Sequence, residues 1–301
     1  MKKSFSLILL FVSFYFSCYY STEKRYTVGQ PYEPNKNMYF DEENPQFEEG
    51  EPYWFLDFIG SWIWPDSLLA KVMIWNRKMQ NHSFSFETKR YLKEYIRDNN
   101  LKDVKVRFNQ YAPWDDLKRL WHSKTINPLL KWTIGLYAYF VNDVLLVGRI
   151  FGGDHYNPYS NTIHVYSDIP AVVVHEGGHA KDFSQRQYRS WYALGYAVPV
   201  LGAFYPEARA SDDAIRYFRY RCDKTEEMTA YRTLYPAYGS YVAGGISDLI
   251  PTSPYSALYG YSLLATAASA GHIVGYVRQG RAEKEWTPKE CQIAEELEKK
   301  K

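Results

Sequence analysis

The sequence predicts an α+β fold, mostly helical, with a small sheet set beside one central helix. Three observations predict it. Apolar residues recur with helical spacing over 67–79, 87–99 and 114–121. Two short segments, Asp103–Phe108 and Asn161–Ser167, alternate apolar and polar residues as half-buried strands do. The second of these runs through Asp168-Ile169-Pro170, a good helix start, into the apolar run Ala171–Val174 and then His175-Glu176-Gly177-Gly178-His179.

From the N-terminus, Lys2 and Lys3 precede an apolar stretch, Phe5–Phe16, too short for a comfortable membrane span. It ends at Phe16-Ser17-Cys18, which resembles a bacterial lipoprotein signal, with Tyr15 where such signals usually carry Leu. Residues 1–18 are therefore expected to be a signal peptide and Cys18 a lipidated anchor, so that the protein is exported and held in the cell envelope. Residues 19–53, acidic and dotted with Pro31, Pro34, Pro45 and Pro52, suggest an extended tether. The body is expected over 54–280 and a charged helical tail over 281–301.

Within the body, Asp115 and Asp116 fall in the first turn of the 114–121 helix, where the helix dipole favours them. Pro128–Ile150 is a long apolar passage, and Asn142 and Asp143 in its middle favour a buried helix or helix-to-strand passage over a span. A turn-rich loop follows at Gly152–Tyr159. Trp191–Tyr205 is apolar, covers about half a membrane in helical rise and is interrupted by Pro199. Leu249–Val277 is long enough to span, yet its Gly, Ala and Ser content favours a core helix or hairpin, with a membrane span as the alternative. No internal repeat is evident.

Composition narrows the function. Hydrophobic residues at 46% and charged residues at 23% fit a packed globular body of 301 residues. The 29 tyrosines suit wet-edged surfaces or a membrane interface. The net charge is only +2, and Asp41, Glu42, Glu43, Glu48, Glu49 and Glu51 cluster with no base among them. No Lys/Arg block has the density of a nucleic-acid groove, so nucleic acid is set aside as a partner. If Cys18 is lipidated, Cys222 and Cys291 are left as a possible pair.

The chemistry centres on HEGGH. On a helix, His175 and His179 lie about 40° apart around the axis and one turn apart along it, so both imidazoles can reach one metal ion. Glu176 is then placed to act as base on a water activated by that metal. A core helix needs a reason to bury two histidines and a glutamate, and metal binding supplies one. Gly177 and Gly178, each costing about 1 kcal/mol inside a helix, imply that another backbone or a substrate comes close there.

A catalytic zinc takes three protein ligands and leaves one position open. The third is expected downstream, from Glu207, with Glu227 as the alternative and Asp212 or Glu226 behind them. Glu207 is followed at +3, +4 and +7 by Ala210, Ser211 and Ala214, small residues that would let its helix press against the metal helix. Sharing one metal also requires Trp191–Tyr205 not to cross a bilayer, since a single crossing would separate His179 from Glu207.

His175, Glu176 and His179, followed by Glu207-x-x-Ala210, resemble the glutamate-type zincin metallopeptidases. Within them the pattern is similar to the membrane-associated branch of CAAX prenyl proteases and bacterial heat-shock membrane proteases. The likeness covers about 40 residues. That branch carries Asp where this chain has Ser211, so the carboxylate that usually orients a histidine is missing there, and Asp212, Asp213 or Asp182 is left to replace it. The spacing from His179 to Glu207 is also shorter than in that branch.

The resemblance implies a zincin-like catalytic domain, bound Zn2+, a peptide or protein substrate, and an edge strand before the HExxH helix that holds an extended chain by its backbone. For the tetrahedral oxyanion it leaves His164, Tyr231 and Tyr235 as donors; His155 and His272 are expected to be structural or exposed. The expected function is an exported, membrane-anchored zinc metallopeptidase. The alternatives are an envelope lipoprotein with a purely structural zinc, or a zinc amidase acting on cell wall.

Overall fold

The structure, a computed structural model, describes residues 26–28, 40–50, 53–63, 65–145, 153–247, 249 and 255–286. The signal peptide, Cys18, Cys291 and the tail beyond Trp286 lie outside them. At the centre is a four-stranded mixed sheet in the order β1-β2-β4-β3, formed by β1 (Phe47–Glu49), β2 (Lys105–Phe108), β3 (His155–Asn157) and β4 (Thr162–Val165). β1 and β4 both run parallel to β2, while β3 is antiparallel to β4 with His155 opposite His164. Most of the other described residues are helical, so the fold is α+β and mostly helix.

The helices are α1 (Trp54–Phe58), α2 (Pro65–Ile74), α3 (Phe86–Asp98) and α4 (Pro113–His122), then α5, the passage 128–144. They continue with α6 (Pro170–Ser184), α7 (Arg189–Tyr196), α8 (Pro199–Tyr220), α9 (Lys224–Ser247) and α10 (Ser256–Glu285). α5 alternates α and π turns, with π turns at Lys131–Gly135 and Phe140–Val144. α6 is the hub: every residue from Ala171 to Ser184 is buried, and it packs against α3, α8, α9 and the sheet.

Period-two alternation sorts the strand side chains into two layers. Val106, Phe108, Ile163 and Val165 join Val172, Val173 and Val174 in the apolar core. Lys105, Arg107, Thr162 and His164 face the other way into a buried polar layer, where Arg107 pairs with Asp116 of α4 at 2.8 Å and Lys105 with Glu48 at 3.0 Å.

Four expectations change. β4, the strand that leads into α6, is internal, and the edge beside it is β3. Part of the acidic segment taken as a tether is strand β1, anchored by Glu48 to Lys105 and Arg107. Further upstream, Tyr26 is docked: its hydroxyl donates to Asp213 (3.1 Å) and accepts from Lys181 (2.9 Å), while its ring lies 5.4 Å from that of Tyr220. Asp168 does not cap α6, whose N-cap Ile169 makes no side-chain bond; it accepts instead from the backbone N–H and hydroxyl of Ser85, the N-cap of α3.

The described parts of the two uncharged stretches are largely packed helix; residues 250–254 of the second lie outside the described residues. Trp191–Tyr205 spans α7 and the start of α8, with Trp191 and Tyr205 exposed, and it turns back after Tyr196. In α10, a Cβ on Gly271 would fall 2.5 Å from the Cα of Pro236, and one on Gly275 2.5 Å from the carbonyl oxygen of Tyr231. The small residues thus let α10 lie directly on α9. Among the described residues, no helix is long and apolar enough to cross a membrane. Cys222 is disulfide-bonded, and its partner lies outside the described residues.

Candidate metal centre

α6 presents His175 and His179 one turn apart, and α8 brings Glu207 against them. The two Nε2 atoms are 3.0 Å apart. Glu207 places one carboxylate oxygen 3.1 Å from His175 Nε2 and the other 3.3 Å from His179 Nε2. Zinc–nitrogen bonds of about 2.0–2.1 Å in a tetrahedron put donor atoms roughly 3.3 Å apart. The observed separations match that edge length, and two imidazoles with one carboxylate form a catalytic zinc donor set. The residues therefore fit the ion.

The helix contact explains the convergence. A Cβ on Gly178 would come within 3.0 Å of both the Cα and the carbonyl oxygen of Ala210, so glycine on α6 and alanine on α8 let the two backbones touch. Gly177 instead accommodates the ring of Tyr95, which would lie 2.5 Å from an added Cβ. Pro206, inside α8, removes a backbone donor one residue before Glu207.

The electrostatics are those of a dry site holding one firm anion. Burial pushes the Glu207 carboxyl up, but His179 and His175 outweigh it and hold it at about 2. Burial lowers His175. It would lower His179 too, but the Glu207 and Glu176 carboxylates reverse the shift and raise it. Glu176 is raised to about 8, chiefly by burial, with Glu207 and Asp154 adding to the effect; His179 and a backbone hydrogen bond from Tyr156 oppose it. That bond also places the edge strand β3 against Glu176.

Ser211 takes the position where an aspartate was expected, and its hydroxyl lies 3.2 Å from His175 Nδ1. With Nε2 turned to a metal, Nδ1–H donates to this hydroxyl and fixes the tautomer. The aspartates considered as replacements are engaged elsewhere. Asp182 holds Arg186 and Tyr192, Asp212 lies 3.5 Å from Arg216, and Asp213 binds Lys181 and Tyr26. His179 Nδ1 is buried with no hydrogen-bond partner.

Glu227, the alternative third ligand, is paired with Arg219 at 2.8 Å, and Glu226 has its backbone N–H on Asp223. Tyr231 and Tyr235 pack together on α9, and His164 belongs to another cluster. His272 is structural, its Nε2 2.7 Å from the carbonyl of Met73 and its ring stacked on Trp75. Two tyrosines without a sequence motif approach the centre instead. The Tyr196 ring stands edge-on to His179 at 5.6 Å. Burial, with Glu207 and Glu176 adding to it, raises the hydroxyls of both Tyr196 and Tyr241 well above the usual tyrosine value, so both are O–H donors at neutral pH. Tyr241 is half open as a residue while its hydroxyl is desolvated.

No protein-family profile matches the sequence, and comparisons with curated proteins and with solved structures return no match.

Proposed function

We propose that this chain is a zinc-dependent hydrolase of the HExxH type, a metallopeptidase of the cell envelope anchored through Cys18. The observation that carries the reading is the meeting of His175, His179 and Glu207 from two helices, with the buried Glu176 one residue away. When bound, the zinc acts as a Lewis acid toward the scissile carbonyl and lowers the pKa of water. His175 and His179 would hold it through Nε2, and Glu207 through its carboxylate. Glu176, whose carboxyl a bound cation would draw back toward its ionised form, takes the proton from water and returns it to the leaving amine nitrogen. Tyr196 and Tyr241 offer hydroxyl donors to the developing oxyanion. Edge strand β3 lies beside Glu176, joined to it through the backbone of Tyr156, and in this reading the substrate chain passes along that side of the site.

An acid between the two histidines separates this reading from a structural zinc, which has no use for one. The test is zinc content and peptide cleavage on the chain purified in detergent. We expect cleavage of a quenched fluorescent peptide library, loss with a chelator, and return with Zn2+. Zinc bound without any cleavage of peptides would sink the peptidase reading.

A further inference from the structure

On the opposite face of the sheet from α6, Asp143, His155 and His164 bring their donor atoms within 4.8 Å of one another. β3 and β4 put the two histidines directly opposite in register, and their rings stack at 4.7 Å with 12° between planes. Ile163 and Val165 point into the core with α6, so His164 and its partner His155 point away from it. Asp143 arrives from the last π turn of α5, a local distortion often found where a side chain is aimed at a functional site.

The polar atoms here are buried and unsatisfied. Both carboxylate oxygens of Asp143 and the Nε2 atoms of His155 and His164 have no hydrogen-bond partner. Asp143 is 5% exposed and His164 3%. Asp143 lies 3.4 Å from His164 Nε2 without hydrogen-bonding geometry. Leaving several such groups unpaired in the interior is costly, and a shared cation would satisfy them together. His155 is already set for one: its Nδ1 lies 3.1 Å from the carbonyl oxygen of Gly153, which fixes the proton there and leaves a bare lone pair at Nε2. A small cavity, lined among others by Gln110, Asp116, Asp143, His164 and Tyr166, adjoins Asp143 and His164. Of the two arginines that act on His164, Arg107 is bound by Asp116 and Glu48, which lessens its repulsion of a cation, and Arg119 is turned to the carbonyls of Asp103, Ser160 and Asn161.

We propose that Asp143, His155 and His164 form a second metal site, which holds a divalent transition ion of the zinc class and pins edge strand β3 to α5. Two imidazoles and a carboxylate suit such an ion better than they suit Ca2+ or Mg2+, which prefer all-oxygen shells. The inference does not depend on the HEGGH reading.

The full chain in detergent, loaded with Zn2+ and desalted, should carry two zinc ions. His175→Ala with His179→Ala should keep one, and Asp143→Asn with His164→Gln should also keep one, the other being lost. If HEGGH proves not to bind metal, the wild type carries one ion that leaves with His164→Gln and not with His175→Ala, and the second site stands. Unchanged zinc content in folded Asp143→Asn/His164→Gln protein overturns it, and means that only water fills the space. Should that variant fail to fold, Co2+ added to the His175→Ala/His179→Ala protein decides the matter. Visible d–d bands of an ordered cobalt site are expected, and their absence overturns the proposal.

Discussion

On the proposed reading, Glu176 and Ser211 separate binding from chemistry at the level of single side chains. Glu176→Gln keeps the shape of the site and both histidines. It is expected to retain zinc while peptide turnover falls about 10²–10⁴-fold, the usual worth of a positioned base. Ser211→Ala removes the partner of His175 Nδ1, 3.2 Å away. Zinc affinity, measured by competition with a chelator, should weaken by about 10–100-fold with the fold unchanged. The two histidines and Glu176 were legible because their spacing has meaning only on a helix. Glu207 stood ahead of Glu227, with Asp212 and Glu226 behind them, and the structure puts Glu207 against the two histidines while Glu227 pairs with Arg219, a partner that no local pattern marks. Tyr196 and Tyr241 were not legible at all. In a chain with 29 tyrosines, one that lies near His175, His179 and Glu207 looks like any other until the helices are placed.

At the level of elements, the contact between α6 and α8 is controlled by one missing methyl group. Gly178→Ala would set a Cβ 3.0 Å from the Ala210 backbone, so α8 must retreat and carry Glu207 with it. We expect a loss of about 1–3 kcal/mol in urea unfolding, together with weaker zinc binding. Gly195→Ala, where an added Cβ meets nothing within 4 Å, should be neutral or slightly stabilising, which makes it the control. The helices over 86–98, 113–122 and 170–184 fell close to where periodicity put them, since each shows one clear apolar face or run. Strand order did not follow from periodicity. Alternation marked β4 as a strand, but β3 is three residues long in a segment rich in turn formers, and only its pairing with β4 makes it the edge. The same pairing joins His155 to His164, and α5 adds Asp143, so that cluster is invisible to any short sequence window.

Across the whole molecule, buried charge sets how stability follows pH. Glu226 has a buried oxygen with no partner, and burial, with Asp223 and Glu87 adding to it, raises its carboxyl to about 7. The unfolded chain releases this proton near the ordinary value of 4.5, the folded chain only near 7, so stability falls as pH rises between the two and levels off above. Glu226→Gln should therefore be more stable than the wild type at pH 8, by about 1–2 kcal/mol after allowance for partial exposure, and equal to it at pH 4. Urea titrations at the two pH values measure this. Charge patterning could not reveal it, because an acidic residue at a helix start reads as favourable until its burial is known. The docked Tyr26 has a mechanical consequence of its own. With a lipid on Cys18, the eight peptide steps from Cys18 to the docked Tyr26 reach at most about 28 Å, far less than the full length of the acidic segment would. The leash is short, and the proposed peptidase would work only on chains that come within a few nanometres of the bilayer surface.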